Sequence, residues 1–151
     1  MLLLLKTGIR RKELVELDLD DINFEDQSIQ LKPTPKRTNR TVFFDYETLN
    51  QLKRWLRARD NWNHQGSNAL FVSRKGARLR GQYLQRKIAE YARIVGLHNP
   101  NSKKLEDRFT PHAYRHFFTT VLRRAGMPRE FNSRVKGRCE KRGHRYLRSY
   151  R

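Results

Sequence analysis

Cysteine is almost missing from these 151 residues. Cys139 stands alone, so no internal disulfide can staple the fold, and a reducing compartment suits the chain. No Cys/His cluster has zinc spacing, which argues against a structural metal. Long apolar runs are missing too. Met1-Leu2-Leu3-Leu4-Leu5 is closed by Lys6 and Gly8, too short to span a bilayer and without the basic start or cleavage site of a signal peptide. Mean hydropathy of −0.94 argues the same way. Acidic residues are the scarcest class relative to their partners: 15 against 34 Lys and Arg, a net charge of +19 and a pI ≈ 10.9. That excess points to a polyanion, with nucleic acid first and an anionic membrane surface second. There are no internal repeats, and the length allows one domain with a real core.

What is present reads as short elements in sequence. Met1–Leu5 looks like the last turn of a buried helix that begins earlier than this sequence does. Gly8 permits a sharp break, and a second helix carries Leu14 and Leu17 inward. An acidic turn, Asp18-Leu19-Asp20-Asp21, leads to alternation at Ser28–Lys32, and Thr41–Phe44 reads as the returning strand. Pro33, Pro35 and Asn39 mark the turn between them, so the hairpin tip is strongly basic: Lys32, Lys36, Arg37 and Arg40. A helix from about Asp45 to Arg59 buries Leu49, Leu52, Trp55 and Leu56, and one from Gln82 to Val95 buries Leu84, Ile88, Ala92 and Val95. Leu70-Phe71-Val72 is a short strand or buried connector, and His98 is a surface residue of the following loop.

The stretch from Thr110 to Gly126 is the best-bounded helix, with Thr110 as N-cap, Pro111 at the first helical position and Gly126 at the stop. Its periodicity puts Tyr114, Phe117, Phe118, Val121, Leu122 and Ala125 on one apolar arc. His112, Arg115, His116 and Thr119 take the opposite face. Two histidines and an arginine at the positive end of a helix dipole make a phosphate site. A solvated basic face is the alternative that this pattern alone leaves open.

Read together, Thr7-Gly8-Ile9-Arg10-x-x-Glu13-Leu14 and Pro111-His112-x-x-Arg115-His116, on either side of a basic hairpin, resemble the tyrosine recombinase (phage integrase) family. The likeness covers residues 1–131. It implies a mainly α catalytic domain with a small antiparallel β-hairpin or sheet. It also implies strand cleavage and rejoining through a 3′-phosphotyrosine, without metal or nucleotide cofactor. Arg10 and Arg115 match the family's phosphate-clamping arginines and His112 its histidine. Lys36 is taken as the lysine that protonates the leaving 5′ oxygen, with Lys32 second. Lys32, Arg37, Arg40 and His116 are expected at the DNA. The implied partners are double-stranded DNA and other recombinase protomers, with no membrane, in a cytoplasmic, nucleoid-associated setting.

Two departures bear on activity. The family's N-terminal DNA-clamping domain and the first helix of its catalytic domain lie outside this sequence. Its nucleophilic tyrosine is due near position 147, which is leucine, with Tyr146 and Tyr150 on either side. Tyr146 is the nearest candidate for a nucleophile. Residues 132–151 carry 8 Lys/Arg and 1 acid with little apolar periodicity, and are read as a basic tail in place of the nucleophile-bearing segment. One permitted codon choice from Asn132, read a nucleotide later, encodes an amphipathic segment with a tyrosine beginning inside the Leu147 codon. A frameshifted ending follows from that reading, and a non-catalytic DNA-binding remnant is then the rival to an active recombinase. An RNA-binding protein is a third class, disfavoured because the stacked aromatic motifs of common RNA modules are missing.

Overall fold

A left-handed glycine sets the geometry of the chain's first turn. Gly8, at φ 61°, ends helix α1 (Leu2–Thr7) and donates its N–H to the Leu4 carbonyl at 3.1 Å. A Cβ there would lie 2.3 Å from Cδ1 of Phe118, so the close approach of the last helix also requires glycine. The chain then re-enters a helix at α2 (Arg11–Val15), burying Leu14 and Val15.

A computed structural model describes residues 1–33, 40–62, 66–104 and 107–128. Among them, α2 is followed by a 3₁₀ turn (Leu19–Asp21), strands β1 (Ile22–Asn23), β2 (Ser28–Leu31) and β3 (Arg40–Phe43), and helices α3 (Tyr46–Asp60), α4 (Gly81–Ile94) and α5 (Pro111–Arg124). The sheet is antiparallel in the order β1-β2-β3, so the expected hairpin gains a short third strand. Ile29 faces Val42 and Leu31 faces Arg40. Cross-strand partners share one face of a pleated sheet, so the alternation that buries Ile29, Leu31 and Val42 turns Arg40 to that same face.

The core gathers Leu4, Ile9, Leu17, Ile29, Leu70 and Ile88, all essentially inaccessible. Leu49 and Leu52 of α3 join it, with Trp55 and Leu56 packed against its edge. Half-buried Trp55 sends its indole N–H to the Leu70 carbonyl at 2.8 Å, the usual arrangement for an indole packed against a core. Asp45 caps α3, accepting from the Thr48 N–H at 2.9 Å, and holds Lys6 of α1 at 2.7 Å. Among the described residues, no helix is long and apolar enough to cross a membrane.

Of the two readings left open for Leu70–Val72, the structure takes the connector, flanked by isolated bridges from Asp18 to Ala69 and from Val72 to Arg78. Three sequence expectations change. Val95, expected inside, is exposed one residue beyond the end of α4. His98 is half-buried, and its Nδ1 accepts the Phe109 N–H at 3.0 Å, ordering the approach to α5.

The largest change concerns the facing of α5. Its buried residues are Pro111, Arg115 and Thr119, while Phe117 (56 %) and Val121 (44 %) are exposed. The inward stripe is rotated by roughly a quarter turn from the apolar arc, at about 100° per residue. The reason is the contact with α1. Phe118 fills the space over Gly8, and Arg115 reaches the Gly8 carbonyl, so those two residues set the rotation of the helix.

Candidate active site

Arg10 stands at the N-cap of α2 in extended backbone geometry. Glu13, three residues on, accepts the Arg10 N–H through Oε2 at 2.6 Å and pairs through Oε1 with Arg10 Nη1 at 3.3 Å. The first is the reciprocal half of a capping box, which suits a Glu at the third helical position. The same Oε2 receives Arg40 Nη2 at 3.0 Å. Burial pushes the Glu13 carboxyl upward. The Arg10 N–H and the charges of Arg40, Arg10 and Arg115 outweigh it, and the group sits below the usual carboxylate range.

Arg115 comes from the first turns of α5, more than a hundred residues later. Its side chain is buried, and Nη1 donates to the Gly8 carbonyl at 2.5 Å. A buried guanidinium with a fixed backbone acceptor is orientationally locked. Thr119, also buried, satisfies its hydroxyl on the Arg115 carbonyl at 3.1 Å.

These pieces border one open cavity of ≈ 380 Å³, lined by Arg10, Arg11, Gln85, Thr110, His112 and Arg115 among others. The N-terminal end of α5 therefore meets it, adding the helix's partial positive charge to that of the arginines. His112 stays solvent-reachable. Partial burial, then the neighbouring charges of His116, Arg115 and Arg10, hold its imidazole below the ordinary histidine value and favour the neutral form. His116 stacks edge-on against it, with ring centroids 4.7 Å apart.

Three of the residues singled out from the sequence, Arg10, His112 and Arg115, thus meet at one cavity. Others are placed elsewhere. Lys32 is engaged by Asp18 and, at 3.4 Å, by Asp21. Arg40 turns inward onto Glu13 with 11 % of its side chain exposed. His116 is exposed beside His112 and does not line the cavity. Lys36, Arg37 and Tyr146 lie outside the described residues. Glu13 was part of the motif but had no role in the sequence reading; its capping-box spacing from Arg10 was the available signal. Arg11 and Gln85 gave none, because α4 meets α2 only through tertiary packing, where the two side chains hydrogen-bond.

Such a constellation can hold a phosphodiester. Two guanidiniums offer parallel donors to non-bridging oxygens, and a neutral imidazole beside them can give or take a proton. The charge that develops on those oxygens in an in-line displacement would meet fixed cations.

The chain is 28% identical over 122 residues to the tyrosine recombinase XerC of Vibrio cholerae, covering 81% of this chain and 36% of the relative. It is 32% identical to XerC of Haemophilus ducreyi, with 81% and 37% covered. Its fold superposes on the crystal structure of the XerA recombinase with a TM-score of 0.78 at 24% identity, covering 92% of this chain and 47% of that one. It superposes on the XerH site-specific recombinase bound to palindromic difH substrate with a TM-score of 0.74 at 23% identity, covering 91% and 37%. The chain therefore spans little more than a third of the length of these curated relatives. With the arginine–histidine constellation, the hairpin between its halves and a phage integrase family profile that matches residues 1–137, the chain belongs to the phage integrase family.

Proposed function

We propose that the cavity between α2 and α5 binds the scissile phosphate of duplex DNA, and that the chain is the catalytic-domain portion of a tyrosine recombinase. Its reaction is strand cleavage and rejoining in site-specific recombination or integration. The observation that carries this reading is the convergence of Arg10, Arg115 and His112 on one cavity from opposite ends of the chain. A solvated basic face would not bury one arginine and lock it to a backbone carbonyl.

In the reaction, a tyrosine Oη attacks phosphorus, the P–O5′ bond breaks, and the leaving 5′ oxygen takes up a proton while the enzyme holds the 3′-phosphotyrosine. Arg10 and Arg115 would hold the non-bridging oxygens, and His112 would bind the phosphate or move the nucleophile's proton. Lys36 is the candidate donor to the 5′ oxygen. DNA and other recombinase protomers are the partners this reading implies, in a DNA-associated compartment of the cell.

A second reading is favoured by one observation: position 147, where the nucleophile is due, is leucine. With the basic segment 132–151 in place of the family's ending, the chain binds DNA without cutting it. A suicide duplex nicked beside the cleavage position separates the two. A covalent adduct that resists denaturant, and is lost in Tyr146→Phe or Tyr150→Phe, establishes cleavage. Salt-sensitive binding without an adduct establishes the remnant. Duplex binding and adduct formation both unchanged by Arg10→Ala and Arg115→Ala would overturn the reading of the cavity as the phosphate site.

A further inference from the structure

We propose that Arg40 is a positioning residue of this site, holding the Arg10 guanidinium at the phosphate cavity through the Glu13 carboxylate that both arginines share. The inference rests on the reading of the cavity as a phosphate site and adds a third arginine that touches no substrate.

The argument begins with strand parity. Arg40 is the first residue of β3 and lies directly across from Leu31, on the face that carries Ile29 and Val42 into the core. A cation at the mouth of a basic hairpin would ordinarily point to solvent. Here the pleat directs it inward, where Nη2 meets Glu13 Oε2 at 3.0 Å. Both side chains are nearly closed to water, at 11 % and 10 % exposure, so the pair is weakly screened.

Glu13 has two other duties. Oε2 takes the Arg10 backbone N–H and Oε1 takes Arg10 Nη1. One carboxylate thus orients the N-cap residue and its guanidinium together. A carboxylate so close to a phosphate site would by itself oppose the incoming anion. Arg40 offsets that charge from the side of β3, so the Arg10 guanidinium keeps its positive potential toward the cavity. Arg40 also fixes the Glu13 rotamer, and a fixed acceptor restricts how far Arg10 can turn. Arg40 therefore acts through Glu13, and its effect should vanish where Glu13 has no charge.

That conditional effect is the test. Dimethyl phosphate, a single phosphodiester without bases, is titrated into the full chain while the guanidinium Nε–H resonances of Arg10 and Arg115 are followed by NMR. Urea midpoints verify that each variant is folded. Arg40→Gln should weaken binding roughly tenfold, the scale of a lost charge-assisted contact. Arg40→Lys should lose less, because the charge survives without the planar fork. In the Glu13→Gln background the same Arg40 substitutions should change the affinity little. If Arg40→Gln does not fold, Arg40→Lys compared in the two backgrounds carries the test.

Equal losses in both backgrounds would make Arg40 a direct phosphate contact and overturn the proposal, as would no loss in either. If the unaltered chain shows no saturable shift at Arg10 and Arg115, the phosphate reading of the cavity fails first. Saturable shifts with independent Arg40 and Glu13 effects would leave that reading standing and remove only this inference.

Discussion

Two charge clusters bracket α2, and they reach opposite results from the same residue types. At its start, Glu13 faces Arg10 and Arg40, with Arg115 close enough to act on it, so one carboxylate stands among three guanidiniums. Of that cluster, Arg10 and Arg115 border an open cavity. After its end, Asp18 takes both Lys32 and Arg78, and Asp21 takes Lys32 as well. Arg78 also donates to the carbonyls of Val15 and Leu17, each at 3.1 Å. Two acids there balance two bases, and the arginine adds donors to carbonyls at and just past the end of α2. A basic residue near the Arg10 motif is thus no guide to its role. Open space beside the cations decides which cluster can take an anion.

The comparison breaks most readily at Gly8, whose carbonyl anchors Arg115. Gly8→Ala must adopt a left-handed backbone and displace Phe118, and should destabilise the chain by on the order of 3 kcal/mol in urea unfolding. It should also abolish phosphate binding at the first cluster while the Asp18 pairs persist in whatever remains folded. Wild-type-like stability would show that the close approach of α5 is not needed.

Next come two arginines of one helix. Arg115→Ala removes a buried charged donor and should cost about 2 kcal/mol, whereas exposed Arg123→Ala should stay within about 0.5 kcal/mol. Equal effects in denaturant titrations would erase the distinction between a locked guanidinium and a solvated one.

Salt dependence of duplex binding sharpens the contrast between clusters. Arg10→Ala should reduce the log–log slope by about 0.9, the loss of one phosphate contact. Arg78→Ala should lower the urea midpoint but leave the slope unchanged, because its charge is already matched by Asp18. A slope change for Arg78→Ala would place the second cluster at the DNA.

The smallest effect is in pH. His112 is held below its ordinary value, so the folded state favours the neutral imidazole. Its contribution to stability is nil above the ordinary histidine value and becomes a penalty as pH falls through it toward the lowered one. His112→Asn should remove that arm from the acid side of the stability profile. Phosphate affinity should move the other way, strengthening as the imidazole gains its proton. The Asp18 corner is silent in this range: Lys32, with Arg78, holds Asp18 low, and Asp18 holds Lys32 high. An acid arm unchanged in His112→Asn would place the titrating group elsewhere.

Element order was legible because period and punctuation agree locally. Asp45 before α3, Pro111 at the start of α5, and Gly8 and Gly126 past helix ends are signals that operate over four or five residues. The arginine–histidine spacings were legible for the same reason, as was the resemblance they carry. Facing was harder. The apolar arc of α5 follows hydrophobicity, yet the structure buries Arg115 and Thr119 and leaves Phe117 and Val121 outside.

By itself, the sequence determined the net charge of +19, the run of elements, the positions of Arg10, His112 and Arg115, and a leucine at position 147. Only the tertiary structure decided that Arg115 is locked to Gly8, that Arg40 faces Glu13, and that Lys32 belongs to Asp18. The physical reason is range. Caps, turns and periods are settled by neighbours in the chain, whereas a cation's partner is whichever carboxylate or carbonyl the packed elements bring within about 3 Å, and burial removes the water that would otherwise compete for it.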